Sequence, residues 1–484
     1  MRKRQKVILL RTILREEIPL SQAIPLGLQH VMAMFIGNLT PLIIVMGVCG
    51  LTADAGFGEL RTALLQNAMI IAGVVTLVQM FSIGPVGGKV PIVMGTSSGF
   101  LGVLNNTVAA CGGGILAYGA IMGACIVGGI FESVLGAFLK PLRKFFPADR
   151  YRIGCYCNRI ITAWCWYQLF LRRKRQSGLW FTSESVSGIC STGCDRTAET
   201  FRTAESILSS SAILFGILAG YVVAIIMTLT LPHTGIDADG VQYTYSWVVD
   251  FAQVKNAAWI AVPSFIGFGA LSDVKITFQA SAIIPIGIMF IVTAIETVGD
   301  ISACIEGGMD REATDSELSG GVICDGLGSA FCGTVRCTAE YFILAECGTG
   351  FSDKVVNRFA ISMGAIFLIL CGFCPKIGAL MSIMPQSVLG GAAVMMFASI
   401  LISGIQLITK HPIGSREITI ISVAIGLGYG LGATTGATAH LPYYVQLIFG
   451  GSGIVPCSLA AIILNIVLPK ESKPVREMWE LEDK

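Results

Sequence analysis

Long apolar stretches alternate with short polar ones along almost the whole chain. The runs "AMFIGNLTPLIIVMGVCGL", "AMIIAGVVTLVQMF", "GGILAYGAIMGACIVGGIFESVLGAFL", "SAILFGILAGYVVAIIMTLTL", "ASAIIPIGIMFIVTAI", "FAISMGAIFLILCGF", "VLGGAAVMMFASILISGIQLI", "ITIISVAIGLGYGLGA" and "VPCSLAAIILNIVL" carry few charges. A hydrocarbon core about 30 Å thick takes roughly 20 helical residues to cross, so the pattern predicts repeated membrane helices. It breaks at "VGGKVPIVMGTSSGFLGVL", which is too rich in Gly, Ser and Pro to be one plain spanning helix. Interrupted backbone at membrane depth survives only where it is buried or lines a cavity, and a substrate site is the usual reason in a transporter.

Composition agrees with the pattern. Only 13% of the 484 residues are charged, about half the share of a soluble domain, and the 57 glycines suit helices that pack backbone to backbone in lipid. A net charge of +2 offers no basic surface for nucleic acid. The Lys and Arg residues cluster in the amino-terminal segment, in "KPLRKFF" (Lys140, Arg143, Lys144), around Lys410 and Arg416, and in the tail. The positive-inside rule makes these segments cytoplasmic, so both termini are expected in the cytoplasm. The start, "MRKRQKVILLRTILREE", reads as a charged lead-in and not as a signal peptide.

Sixteen cysteines are many, yet Cys371 with Cys374 and Cys190 with Cys194 have no matching His pair nearby. They predict packing thiols and no metal site. Five of the cysteines crowd between Cys155 and Cys194, and three between Cys332 and Cys347.

In "FIVTAIETVGD", Glu296 and Asp300 lie four residues apart and share one helical face. A carboxylate at the membrane centre costs about 2.5 to 3.5 kcal/mol. Either something in the fold offsets that cost, or both acids sit solvated at the boundary. Asp325, in "VICDGLGSAF", reads equally as a helix cap or as a functional group.

Four motifs occur in order: "PLGLQHVMAMFIGN", with Gln29 and His30, then "VPIVMGTSSGF", "AIETVGD" and "CDGLGSAF". Together they resemble the nucleobase-ascorbate transporter family, the nucleobase:cation symporters of bacteria, fungi, plants and animals, from about residue 18 to 468. The resemblance implies an all-α polytopic membrane protein with fourteen segments in a 7+7 inverted repeat. Segments 3 and 10 would be short and broken. After a cytoplasmic segment 1–20, a core domain would take 21–145 (segments 1 to 4) and 233–380 (segments 8 to 11). A gate domain would take 146–232 (segments 5 to 7) and 381–468 (segments 12 to 14), followed by a cytoplasmic tail, 469–484.

The family's segment 10 signature, Q-N-x-G-x-x-x-x-T-[KR], should fall on "GTVRCTAEYFILAECGTGFSDK", Gly333 to Lys354, and the written residues lack it. Read one base later, the codons of that stretch are compatible at every position with "ALFGVLPNTSFSQNVGLVSVTK", which restores it. Ala148 to Phe170 behaves alike, being compatible one base later with the apolar "PIVTGSVVIVIGLSLLGVGINSF". Two windows, about 148–206 and 333–354, therefore look frame-shifted, and segments 5, 6 and 10 are the ones altered.

The resemblance also implies a substrate. A purine such as xanthine or uric acid is a flat ring edged with N–H donors and C=O acceptors, and an unpaired polar edge is expensive to bury. Glu296 would accept ring N–H groups. Backbone N–H groups around Ser98, Gly99 and Phe100 would donate to ring carbonyls, with the Phe100 ring on the base. The family's Gln and Asn belong at Ala345 and Glu346, which cannot reproduce paired amides. Asp300, Asp325 and His30, with Gln29 in support, are the candidates for coupling to a proton, the only cofactor-like species expected. The Glu-Thr-Val-Gly-Asp form favours the purine branch over a uracil permease. A sulfate-type anion transporter of the same architecture would lack that acid and the Gln-His pair. A membrane-embedded enzyme would need a nucleophile or metal set, which the four scattered histidines do not make. The expected setting is the plasma membrane, with lipid and a second copy of the chain, as a homodimer, for partners.

Overall fold

The computed structural model describes residues 41–51, 56–96, 99–139, 212–236, 242–245, 247–249, 251–263, 271–309, 311–336, 341–343, 357–383, 413–434, 436–442 and 453–469, with scattered single positions elsewhere. The chain is mostly helical. After a helical run over 41–48 come α1 (Gly58–Phe81), β1 (Met94–Thr96), α2 (Leu101–Ala110), α3 (Gly114–Ala137) and α4 (Ala212–Thr230). Next are β2 (Thr234–Ile236), β3 (Gln242–Thr244), α5 (Ala252–Asn256), α6 (Ala280–Gly308) and α7 (Asp315–Thr334). The last are β4 (Tyr341–Ile343), α8 (Arg358–Gly372), α9 (Pro375–Ser382), α10 (Ser415–Ala433) and α11 (Ile454–Val467). The strands qualify the all-α expectation: β1 pairs with β4 and β2 with β3, each pair antiparallel.

Among the described residues α1, α3 and α6 are long and apolar enough to cross a membrane. The 24 residues of α3 make a rod about 36 Å long at 1.5 Å per residue. On α4, Leu218, Val222, Ile226 and Leu229 form an exposed apolar stripe. Water would penalise it, whereas it is the ordinary outer face of a helix in lipid.

The core is held by glycines. A Cβ on Gly129 of α3 would collide with the carbonyl oxygen of Gly326 on α7 and lie 2.6 Å from the amide nitrogen of Ala330. A Cβ on Gly326 would lie 2.5 Å from Ser133 Oγ, and one on Gly136 2.9 Å from the nitrogen of Ile323. Gly129, Ser133 and Gly136 share one face of α3, so that face meets α7 backbone to backbone. Similarly, α1 meets α8 where a Cβ on Gly73 would stand 2.6 Å from the oxygen of Ala365. The Gln66 amide seals that contact with a bond to Gly372 O, 2.9 Å.

The two ends of α7 are set locally. Thr314 caps the start and Glu317 returns a bond to the Thr314 amide at 2.9 Å, a reciprocal box written in sequence as T-D-S-E. Arg311 adds an ion pair to Glu317.

Gly129→Ala should lower stability by about 1 to 3 kcal/mol, since neither backbone can yield. Gly287→Ala, with nothing within 4 Å of its Cβ, should be neutral or gain up to about 1 kcal/mol. Melting curves of the two purified variants in detergent check this, and equal shifts would contradict the close α3 and α7 contact.

Candidate functional site

The site grows from the interruption after α1. None of the described residues from 82 to 100 is helical, and within them Met94, Gly95 and Thr96 form β1, fully buried. Its register with β4 is Met94 to Ile343, Gly95 to Phe342 and Thr96 to Tyr341. Alternate residues of an antiparallel strand bond across the ladder and the others point away. The outward N–H groups of Met94 and Thr96 are taken by side chains: Met94 N–H donates to Thr76 Oγ1 at 2.9 Å, and Thr96 N–H to Asn38 Oδ1 at 2.8 Å. The Thr96 hydroxyl donates to the same Asn38 oxygen at 2.9 Å. Two residues thus stand in for a third strand and take both outward N–H groups of this buried strand edge.

Gly99 and Phe100 follow, both buried, at the entry to α2. The Phe100 ring meets the Phe290 ring of α6 edge to face, with centroids 5.0 Å apart, a geometry that aromatic quadrupoles favour. Phe290 in turn seats on Gly128 of α3, where a Cβ would occupy the ring's own space.

From Phe290 onward, α6 presents a polar face inside the protein. Thr293, Glu296, Thr297 and Asp300 recur at helical spacing, and all are buried, Asp300 completely. The helix continues to Gly308, so Glu296 and Asp300 are not at its end. This corrects the boundary alternative: both acids lie inside packed protein and are not solvated. Asp325 is likewise no cap. It sits in the middle of α7, fully buried, and accepts the Thr297 hydroxyl at 2.5 Å on Oδ2. Its Oδ1 has no hydrogen-bond partner among the described residues.

A fourth buried acid completes the cluster. Glu132 of α3 is fully buried and accepts from the Thr293 hydroxyl at 3.2 Å. That hydroxyl also lies 3.2 Å from Phe290 O and 3.3 Å from Met289 O. Glu132 and both threonines were not singled out by their sequence, although an acid inside "GGIFESVLGAFL" is the kind of intramembrane charge that marks function.

Of the residues expected from sequence, Glu296, Asp300, Asp325, Gly99 and Phe100 are described, and α6 and α7 bring the three acids into one interior. Ser98, Gln29, His30, Ala345 and Glu346 lie outside the described residues, the last two just beyond β4. Among the described residues no group of three or more His, Cys, Asp and Glu could hold a metal ion, and the cysteines there are free.

The chain is similar to known permeases. A family profile described as a permease family matches residues 21–149 and 172–436. A Clostridium perfringens protein described as a candidate purine permease is 30% identical over 479 residues, covering 97% of this chain and 95% of its own. The xanthine permease XanP of Escherichia coli is 24% identical, covering 95% of each chain. The uric acid permease PucK of Bacillus subtilis is 26% identical, covering 93% of this chain and 96% of its own. Among solved structures, the transmembrane domain of a cyanobacterium bicarbonate transporter, BicA, superposes with a TM-score of 0.50 at 12% identity, covering 92% of this chain and 96% of that one. It shares the fold alone. The length of these matches leaves one conclusion: the chain belongs to the permease family of xanthine and uric acid permeases, membrane transporters and not enzymes.

Proposed function

We propose that the chain is a secondary active transporter that imports a purine nucleobase, xanthine or uric acid, by proton symport across the plasma membrane, with both termini cytoplasmic. The observation that carries this is the buried acidic face of α6 beside an interrupted, strand-paired crossing and an aromatic pair. The relatives named xanthine and uric acid permeases supply the substrate class.

The fourteen-segment inverted repeat, with core 21–145 and 233–380 and gate 146–232 and 381–468, is supported by which helices pack together. The helices α1, α3, α6, α7 and α8 all fall in the core ranges and form one contact network, while α10 packs on α11 in the gate range. The strands fit the same repeat, β1 following α1 in one half and β4 following α7 in the other.

In this scheme Glu296 accepts the ring N–H groups of the purine through its two oxygens. Backbone N–H groups of Ser98, Gly99 and Phe100 donate to ring carbonyls, and the Phe100 ring covers the base. Asp325, with an oxygen open beside Asp300, takes the coupling proton, and Gln29 and His30 complete the site. Movement of the core against the gate exposes the cleft to either side, and two copies pair through their gates.

We further propose that the windows 148–206 and 333–354 are read out of frame, so that Ala345 and Glu346 stand where the working site has Gln and Asn. The family match leaves out residues 150–171 inside the first window, which supports the shift over that stretch, and runs through 172–206 and the whole of the second window, where the proposal rests on the codon reading alone. The written chain is then expected to be inactive and the frame-restored chain active. Resequencing the gene decides the matter, because codons incompatible with the shifted strings remove the proposal.

Radiolabelled xanthine and urate uptake in cells expressing the frame-restored chain tests the function. Accumulation abolished by a protonophore is expected. Sulfate or bicarbonate flux without purine uptake would replace this function with anion transport, and protonophore-insensitive uptake would remove the coupling.

Glu296→Gln keeps the shape but loses the charged acceptor, so purine uptake should fall about tenfold or more, as the loss of a charge-assisted bond implies. Parent-like KM and rate in that variant would exclude Glu296 from the site.

A further inference from the structure

Glu132 is fully buried in an apolar helix, and neither substrate recognition nor proton coupling as proposed above uses it. Keeping a carboxyl group at membrane depth is costly, so its neighbours indicate its role. It lies four residues after Gly128, on the same face of α3, and that face is turned to α6. Gly128 receives the Phe290 ring, and Glu132 receives the Thr293 hydroxyl, three residues further along α6. Both contacts lead to the proposed substrate cleft. Phe290 supports the Phe100 ring, and Thr293 precedes Glu296 by three residues on one face of α6.

We propose that Glu132 is a positioning residue for purine recognition: by holding the Thr293 hydroxyl it sets the rotation of α6 about its own axis and hence the direction of the Glu296 carboxyl. Without this bond the Thr293 hydroxyl turns wholly to its own helix, to Met289 O and Phe290 O, and the tie it makes from α6 to α3 is lost. The packing of Phe290 on Gly128 remains, so the helix keeps its place and loses its angular setting. Tight recognition of a planar heterocycle depends on that angle, because a small rotation of the acceptor misaligns a hydrogen bond. This inference rests on the transporter function proposed above.

The test is uptake of labelled xanthine by the frame-restored full-length chain carrying E132L, E132Q, T293V, T293S or the double substitution E132L/T293V, with the amount of folded protein measured by size-exclusion chromatography. E132L and T293V should each raise KM about tenfold while the maximal rate per folded molecule changes less than about threefold. E132Q, which keeps an acceptor of the same shape, and T293S, which keeps the hydroxyl, should stay within about threefold of the parent KM. The double variant should match the single ones, since each removes the same bond.

An unchanged KM in T293V overturns the proposal, as do independent effects that multiply in the double variant. So does E132Q behaving like E132L, which would assign the role to charge and not to the bond. If E132L yields no folded protein, T293V and T293S decide. A parent chain that imports no purine removes the transporter function and this role together, whereas import insensitive to all five variants removes only this role.

Discussion

Two helices meeting backbone to backbone at Gly129 and Gly326 are the constraint on which the rest of this structure depends. In lipid there is no hydrophobic gain from pressing one apolar helix on another, so contact must come from close van der Waals packing and polar bonds between helices. Glycine brings α3 and α7 close enough for Ser133 and Asp325 to lie within one interior. A larger residue at either glycine would open a gap between helices, and a gap beside a carboxyl group exposes it to hydrocarbon or to leaking water. The acids are affordable only because the glycines exclude both.

Threonine does the complementary work. Thr293 and Thr297, adjacent turns of α6, reach in different directions, one to Glu132 on α3 and the other to Asp325 on α7. A threonine hydroxyl commonly folds back on its own helix; that of Thr293 is shared between its own helix and Glu132, and that of Thr297 makes a short tie to the next helix. Asn38 and Thr76 serve β1 in the same way. Small polar groups thus give a buried strand and a buried acidic cluster some of the partners that water supplies elsewhere.

Much of this was legible in the sequence. Hydrophobic runs located α1, α3 and α6, the Gly/Ser/Pro-rich stretch located the interrupted crossing, and the spacing of Glu296 and Asp300 put them on one face. Whether those acids were solvated was not legible, because helical periodicity does not say where along a helix the membrane lies. The position of Asp325 was ambiguous for the same reason: an acid before glycines suits a cap, and only the true start of the helix at Thr314 excludes it. Glu132 was hidden by its surroundings, since one acid in a long apolar run scarcely changes the run's character. The pairing of β1 with β4 joins residues about 250 positions apart, and no local signal in either strand encodes its partner.

The line of contact from Gly128 through Phe290 to Phe100 has a consequence for how such proteins diversify. A lineage that enlarged or reshaped the aromatic wall at Phe100 would have to adjust Phe290 with it, and Phe290 has room only while residue 128 carries no side chain. New ligand preferences would therefore arise through linked substitutions on α3, on α6 and at the entry to α2, and single exchanges at the wall would be purged before selection could see their benefit.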